Sequence, residues 1–148
     1  MKLEMGYPDK NAEVEILNRF LSDNPITELG SVCKKQDIID MKKQAKEVYI
    51  HPALIEYIAE LAGATRKLSD VAIGISPRGS IAMVNAAKAY AYVKGRDYVV
   101  PSDIKELSVC VWAHRLVFGT GIVSKDGRAQ AVNSAFAQVA VPTEEWTK

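Results

Sequence analysis

Cysteine and histidine are scarce in this chain: Cys33 and Cys110 are its only cysteines, and His51 and His114 its only histidines. Two cysteines so far apart are not the disulfide framework of a small secreted domain, so a reducing, cytoplasmic setting is expected. The isolated histidines fit no zinc spacing, and no metal site is expected. An excess of one charge is missing too. Nineteen Lys and Arg stand against 18 Asp and Glu, a net charge of +1, which offers no broad field for nucleic acid or an anionic membrane. No apolar run reaches the roughly 18–20 residues of a membrane span. The N-terminus lacks the basic, apolar and small-residue regions of a signal peptide. Neither a G-x-x-x-x-G-K-[ST] phosphate loop nor a G-x-G-x-x-G fingerprint occurs, and no Ser/His/Asp or Cys/His arrangement stands out. A self-contained active site is not visible.

What is present is a chain of 148 residues, 48% apolar and 25% charged, enough for one soluble domain with a proper core. Its periodicity is mainly helical. Lys2 to Met5 alternates like a short strand and Gly6-Tyr7-Pro8 ends it. Asp9 then caps a helix with Val14, Leu17, Phe20 and Leu21 on one face. A second helix is predicted from about Gln36 to Glu47, with Ile38, Met41, Ala45 and Val48 as its apolar stripe. Lys34, Lys35, Lys42, Lys43 and Lys46 lie on or near it, interleaved with Asp37, Asp40 and Glu47. A third helix opens at Pro52 and buries Leu54, Ile58, Leu61, Ala62 and Leu68. Tyr98 to Val100 reads as a short strand, followed by a helix capped by Ser102. Arg115 to Phe118 and Ile122-Val123 flank Gly119-Thr120-Gly121, a small hairpin pattern. A last helix is predicted over about Arg128 to Val139, and the tail 141–148 is expected to fray.

The stretch Gly74-Ile75-Ser76-Pro77-Arg78-Gly79-Ser80 carries the most information. Ser76 is a good N-cap, and Pro77 fits the first helical position, where a missing N–H costs nothing. The apolar run from Ile81 to Val93 makes the helix body, apolar nearly all round and therefore central to its domain. Arg78 and Gly79 run against the local rules. A cation in the first turn opposes the helix dipole by roughly 0.3–1 kcal/mol, and glycine costs about 1 kcal/mol against alanine. An arginine, peptide N–H groups and a residue without a side chain together suit an anion such as phosphate. A solvated arginine at a helix end fits the same turn.

Taken in order, Gly6-Tyr7-Pro8, Ala64-Thr65-Arg66, Gly74-Ile75-Ser76-Pro77-Arg78, Lys94-Gly95-Arg96-Asp97-Tyr98-Val99, Pro101-Ser102-Asp103-Ile104 and His114-Arg115-Leu116 resemble the C-terminal part of MoxR-type AAA+ ATPases. The resemblance covers nearly the whole chain. It implies a mainly α fold, the helical lid bundle of an AAA+ ATPase, with short extended segments. Residues 1–8 would then end a core strand and link it to the lid, and 9–140 would form the lid. By resemblance Arg78 is the sensor 2 arginine, reaching the γ-phosphate of ATP held by the core. Gly79 would line the same turn, and Tyr7 and Pro8 would run near the adenine. Arg115 would serve lid packing or meet a neighbouring subunit.

Two departures accompany the resemblance. Gly79 stands where the family often has alanine, and the core's phosphate loop, Mg-binding acid and arginine finger do not occur in these residues. The resemblance therefore implies a piece of a longer protein, with ATP and Mg in the parent and neither held tightly here. This chain alone is expected to be inactive, and Leu3 and Met5 to lack their sheet partners. The implied partners are the N-terminal core of the same protein, further copies in a hexamer, and proteins with von Willebrand factor A domains. The alternative is a free-standing helical module, binding nucleic acid through Lys34, Lys35, Lys42, Lys43 and Lys46 or serving as a passive interaction domain. The acids on the same helix weigh against nucleic acid.

Overall fold

A computed structural model describes all residues except Ser22, Asp23, Thr120, Ile122, Glu144, Glu145, Thr147 and Lys148. Three of its helices begin on proline: α3 (Pro52–Thr65), α4 (Pro77–Val93) and α5 (Pro101–Trp112). Proline suits this place because its fixed φ is already helical and its absent N–H has no partner to lose. The other elements are α1 (Lys10–Arg19), a 3₁₀ turn (Pro25–Glu28), α2 (Lys35–Glu47), β1 (Val71–Ile73), β2 (Val117–Phe118) and α6 (Lys125–Phe136). The fold is mainly α, as the periodicity implies.

The chain divides into two compact units, Leu3–Asp40, and Met41–Lys148 together with Met1–Lys2. The N-terminal unit holds α1, capped by the Asp9 carboxylate on the Ala12 N–H at 2.8 Å. An Arg19–Glu15 pair spans its last turns. None of the described residues of this unit is buried. Leu17, Phe20 and Leu21, which share a face of α1 or its C-terminal end, are exposed, as are Leu3, Met5 and Val32. The strand expected at Lys2 to Met5 is absent. A lone extended segment has no ladder to join; the Lys2 N–H donates to the Cys110 carbonyl at 2.8 Å.

The C-terminal unit carries the core. Leu54, Ile58 and Leu61 of α3, Met83, Ala87 and Ala91 of α4, Ile104, Val111 and Trp112 of α5, and Val132 of α6 are buried together. α4 is not apolar all round in its packing. It buries a single row, Gly79, Met83, Ala87 and Ala91, spaced by four as a ridge that fits the groove of a neighbouring helix. Ile81 and Val93 stay exposed. Much of its apolar count is alanine, which sits on a wet face at little cost. Tyr90 and Tyr92 turn their hydroxyls to Glu106 and Gln44. The helix ends at Lys94. The Gly95 N–H bonds the Tyr92 carbonyl and the Arg96 N–H the Ala91 carbonyl, a closing turn that needs the positive φ of Gly95.

β2 takes a described partner far back in the chain, and two helices start earlier than the local pattern implies. β2 pairs antiparallel with β1, Val71 opposite Phe118 and Ile73 opposite Val117, and the Gly119 N–H bonds the Asp70 carbonyl at 3.2 Å. Thr120 and Ile122 of the expected hairpin lie outside the described residues. Ser102 is not the cap of α5: the helix starts two residues earlier than that cap implies, at Pro101, and the Asp103 carboxylate accepts from the Val100 N–H at 2.9 Å. α6 starts at Lys125, capped by Ser124 on the Gly127 N–H at 3.1 Å, so Asp126-Gly127 lies within its first turn. Tyr49 and Tyr98 meet in one parallel bridge, so the short strand expected at Tyr98 to Val100 is reduced to a single pairing beside Tyr49. In the tail, Trp146 packs against the core and sets its ring edge-on to His51.

Candidate functional site

The first turn of α4 gathers the residues that the sequence singles out. Ser76 caps it as predicted: its carbonyl accepts from the Gly79 N–H at 2.8 Å and the Ser80 N–H at 3.1 Å, and its hydroxyl accepts weakly from Gly79 at 3.4 Å. Pro77 has no N–H to offer. Arg78 therefore holds the first peptide N–H of the helix that is not committed to Ser76. Its side chain is exposed and has no hydrogen-bond or ion-pair partner among the described residues. Its guanidinium keeps all five donors for something outside this unit.

Gly79 is not an anion cradle. It is buried, its N–H serves the cap, and its carbonyl accepts from Trp112 Nε1 at 3.0 Å. A Cβ there would stand 2.7 Å from Cγ2 of Ile75. The glycine lets α4 close onto Ile75 and Trp112, which is why a poor helix former sits in the first turn. Gly74 has the same kind of reason. A Cβ there would stand 2.8 Å from the Arg66 backbone, so the chain ahead of the turn presses against the end of α3.

Sequence reasoning missed what presses it there. The Thr65 hydroxyl donates to the Ala62 carbonyl at 2.7 Å and accepts from the Ile75 N–H at 3.0 Å. Arg66 Nε donates to the Ile75 carbonyl at 2.8 Å. Both backbone groups of Ile75, a fully buried residue, are satisfied by two consecutive residues of α3's end. The motif Ala64-Thr65-Arg66 was visible, but a contact ten residues away carries no local signal.

Arg115 approaches from the other side. Its Cδ would lie 3.6 Å from a Cβ on Gly79, and its Nε donates to the Val111 carbonyl at 2.8 Å. It serves the packing of this unit. Partial desolvation and then the Arg115 charge hold the neighbouring His114 imidazole below its usual pKa. Tyr7 and Pro8 belong to the N-terminal unit, in the irregular segment before α1, where both are exposed. A cleft of about 410 Å³ between Ser69–Val71 and α6 is lined by no residue of α4. Among the described residues no three His, Cys, Asp or Glu stand together as a metal site. No helix among them is long and apolar enough to cross a membrane.

The Gly-Arg-Asp-Tyr-Val motif is structural. Arg96 forms a bidentate pair with Asp103, at 2.9 and 2.6 Å, and also donates to the Tyr98 carbonyl at 2.9 Å. This locks the chain between α4 and α5. The hydrogen bonding of Arg96 to the Asp103 carboxylate is the main reason the Arg96 pKa rises above its already high value.

Residues 63–142 match the family model of the AAA lid domain, and the chain belongs to that family. Within it, this is the lid part of a MoxR-type AAA+ ATPase. The chain is 32% identical to Chaperone MoxR1 of Mycobacterium tuberculosis over 151 residues, covering 95% of this chain and 40% of that protein. It is 37% identical to the uncharacterised protein YeaC of Bacillus subtilis, covering 97% of this chain and 45% of the relative. The crystal structure of a protein assigned as an ATPase from Cytophaga hutchinsonii superposes with a TM-score of 0.82 at 28% identity, covering 97% of this chain and 46% of that one. The chain spans less than half the length of these relatives.

Proposed function

We propose that this chain is the lid of an ATP-driven MoxR-type ATPase, that it closes over ATP held by the core, and that Arg78 is its sensor 2 arginine. The observation that carries the reading is the state of Arg78: exposed and unpartnered, on a turn whose flanks are bonded on both sides. A guanidinium so placed can take terminal phosphate oxygens with two parallel N–H donors and offset charge that grows on them. Bound there, ATP would supply the γ-phosphoryl group that the ATPase transfers to water. Gly79 supports this only by letting the turn pack. Tyr7 and Pro8 would follow the link to the core near the adenine. The Mg ion falls to the core, since this chain offers no donor set for it among the described residues.

The uncovered apolar side chains of the N-terminal unit fit a segment that finishes its packing on another domain. The parent protein is then a cytoplasmic, oligomeric ATPase, a hexamer acting as a chaperone or assembly factor with von Willebrand factor A partners. The name of the mycobacterial relative, Chaperone MoxR1, supports the chaperone part of this reading.

The test is Arg78→Ala in the ATPase that joins this lid to its core. ATP turnover is expected to fall about 10- to 100-fold, the equivalent of roughly 1.5–3 kcal/mol for hydrogen bonds to a charged group. Unchanged turnover would sink the sensor role.

A further inference from the structure

Arg78 gains little from its donors unless the turn beneath it stays still. An arginine has about 2 kcal/mol of rotamer entropy to lose, and a misplacement of about 1 Å can cost on the order of 100-fold in rate. The turn is therefore worth following backwards to what holds it.

Ile75 is the last residue before the cap. Its side chain is fully buried, with Cγ2 beneath Gly79 at the distance that excludes a Cβ. Its N–H goes to Thr65 Oγ1 at 3.0 Å and its carbonyl to Arg66 Nε at 2.8 Å. Thr65 is itself fully buried, and its hydroxyl proton is committed to the Ala62 carbonyl at 2.7 Å. The hydroxyl's direction is therefore set, and it presents a lone pair to Ile75. Arg66 is exposed, so its bond to Ile75 is not needed to fill the core. Gly74 lies against its backbone, which brings the two segments close enough for both bonds.

We infer that Thr65 and Arg66 are positioning residues for Arg78: a two-point latch from the end of α3 that fixes Ile75 and, through it, the cap that carries the arginine. The inference rests on Arg78 being the nucleotide-facing arginine and extends that reading to residues that touch no nucleotide. Thr65 and Arg66 matter to turnover only through Arg78, and this separates them from residues that merely keep the lid folded.

The experiment is a double-mutant cycle in the ATPase joining this lid to its core. Thr65→Val removes the hydroxyl at nearly constant shape, Thr65→Ser keeps it, and Arg66→Ala removes the second bond from an exposed position without opening the core. Each is made alone and with Arg78→Ala, and kcat and KM for ATP are measured separately. Thr65→Val and Arg66→Ala are each expected to lower kcat about 10-fold, below the roughly 100-fold of a full 1 Å misplacement. Thr65→Ser should stay within about threefold of the wild type, since the accepting lone pair remains. In the Arg78→Ala background the same substitutions should change kcat by less than about twofold, the non-additivity of groups acting through one another.

Equal losses in both backgrounds would overturn the latch and leave a structural role. So would undiminished kcat in Thr65→Val and Arg66→Ala while Arg78→Ala is impaired. In that last case the sensor reading survives and only the latch fails. If Arg78→Ala alone leaves turnover intact, both fall together. Should Thr65→Val not fold, Arg66→Ala decides the question by itself.

Discussion

Asp103→Ala is expected to destabilise the C-terminal unit by about 3–5 kcal/mol, the cost of breaking a buried ion pair from one side. The carboxylate is nearly buried, with 3% of its side chain exposed against 25% for Arg96. It does three jobs at once. It accepts both guanidinium bonds of Arg96, and it accepts the Val100 N–H, which caps α5. Removing it strands a half-desolvated guanidinium whose remaining protein partner is the Tyr98 carbonyl. It also leaves one of the orphan donors at the start of α5 without an acceptor, which alone costs about 1 kcal/mol. Because Arg96 keeps some access to water, the loss belongs nearer the lower end of the range. Asp103→Asn keeps an oxygen for Val100 and should lose about half as much. Urea denaturation midpoints check both. A loss under about 1 kcal/mol for Asp103→Ala would show that the pair is solvated and that its geometry does not stabilise the α4–α5 connection.

This pair also shows what was legible in the chain. Arg96 and Asp103 were both in view as parts of a resemblance, and local rules named Ser102 as the cap of α5. The carboxylate wins because it serves two partners, one of them seven residues back. Legibility followed the range of the forces. Asp9, Ser76 and the helix starts at Pro52 and Pro77 act within a turn and were read correctly. Arg78 conflicts locally with the helix dipole, and its exposure fits both the anion site and the solvated arginine. The β1 partner of β2 was not legible locally: Val117 and Phe118 pair with Val71 and Ile73, a contact set by packing rather than by the glycines beside it. Gly79 was misread for the same reason. Its missing side chain suggested room for an anion, whereas the room is filled by Ile75 and Trp112. The phosphate half of the site could not be read at all, since the phosphate loop occurs nowhere in these residues.

Trp112→Ala should cost about 3–5 kcal/mol, as large aromatic truncations in a packed core do. The indole is the largest of the fully buried side chains and lies at 0% exposure. It packs at the C-terminal end of α5, and its Nε1 donates to the Gly79 carbonyl at 3.0 Å. That carbonyl belongs to the first turn of α4, so Trp112 grips from α5 the turn that Thr65 and Arg66 grip from α3. Trp112→Phe separates the two contributions. It keeps much of the apolar volume but withdraws the donor from a buried carbonyl, a loss of about 1–3 kcal/mol. Both variants are read by urea denaturation, and a Trp112→Phe loss equal to that of Trp112→Ala would show that volume contributes nothing and the hydrogen bond everything. Near-wild-type stability in both would remove α5 from the support of Arg78. If the losses are as expected, the arginine's rigidity comes from two helices that hold neighbouring peptide groups, Ile75 on one side and Gly79 on the other. The turn between them stays free to meet a phosphate because none of these bonds uses Arg78 itself.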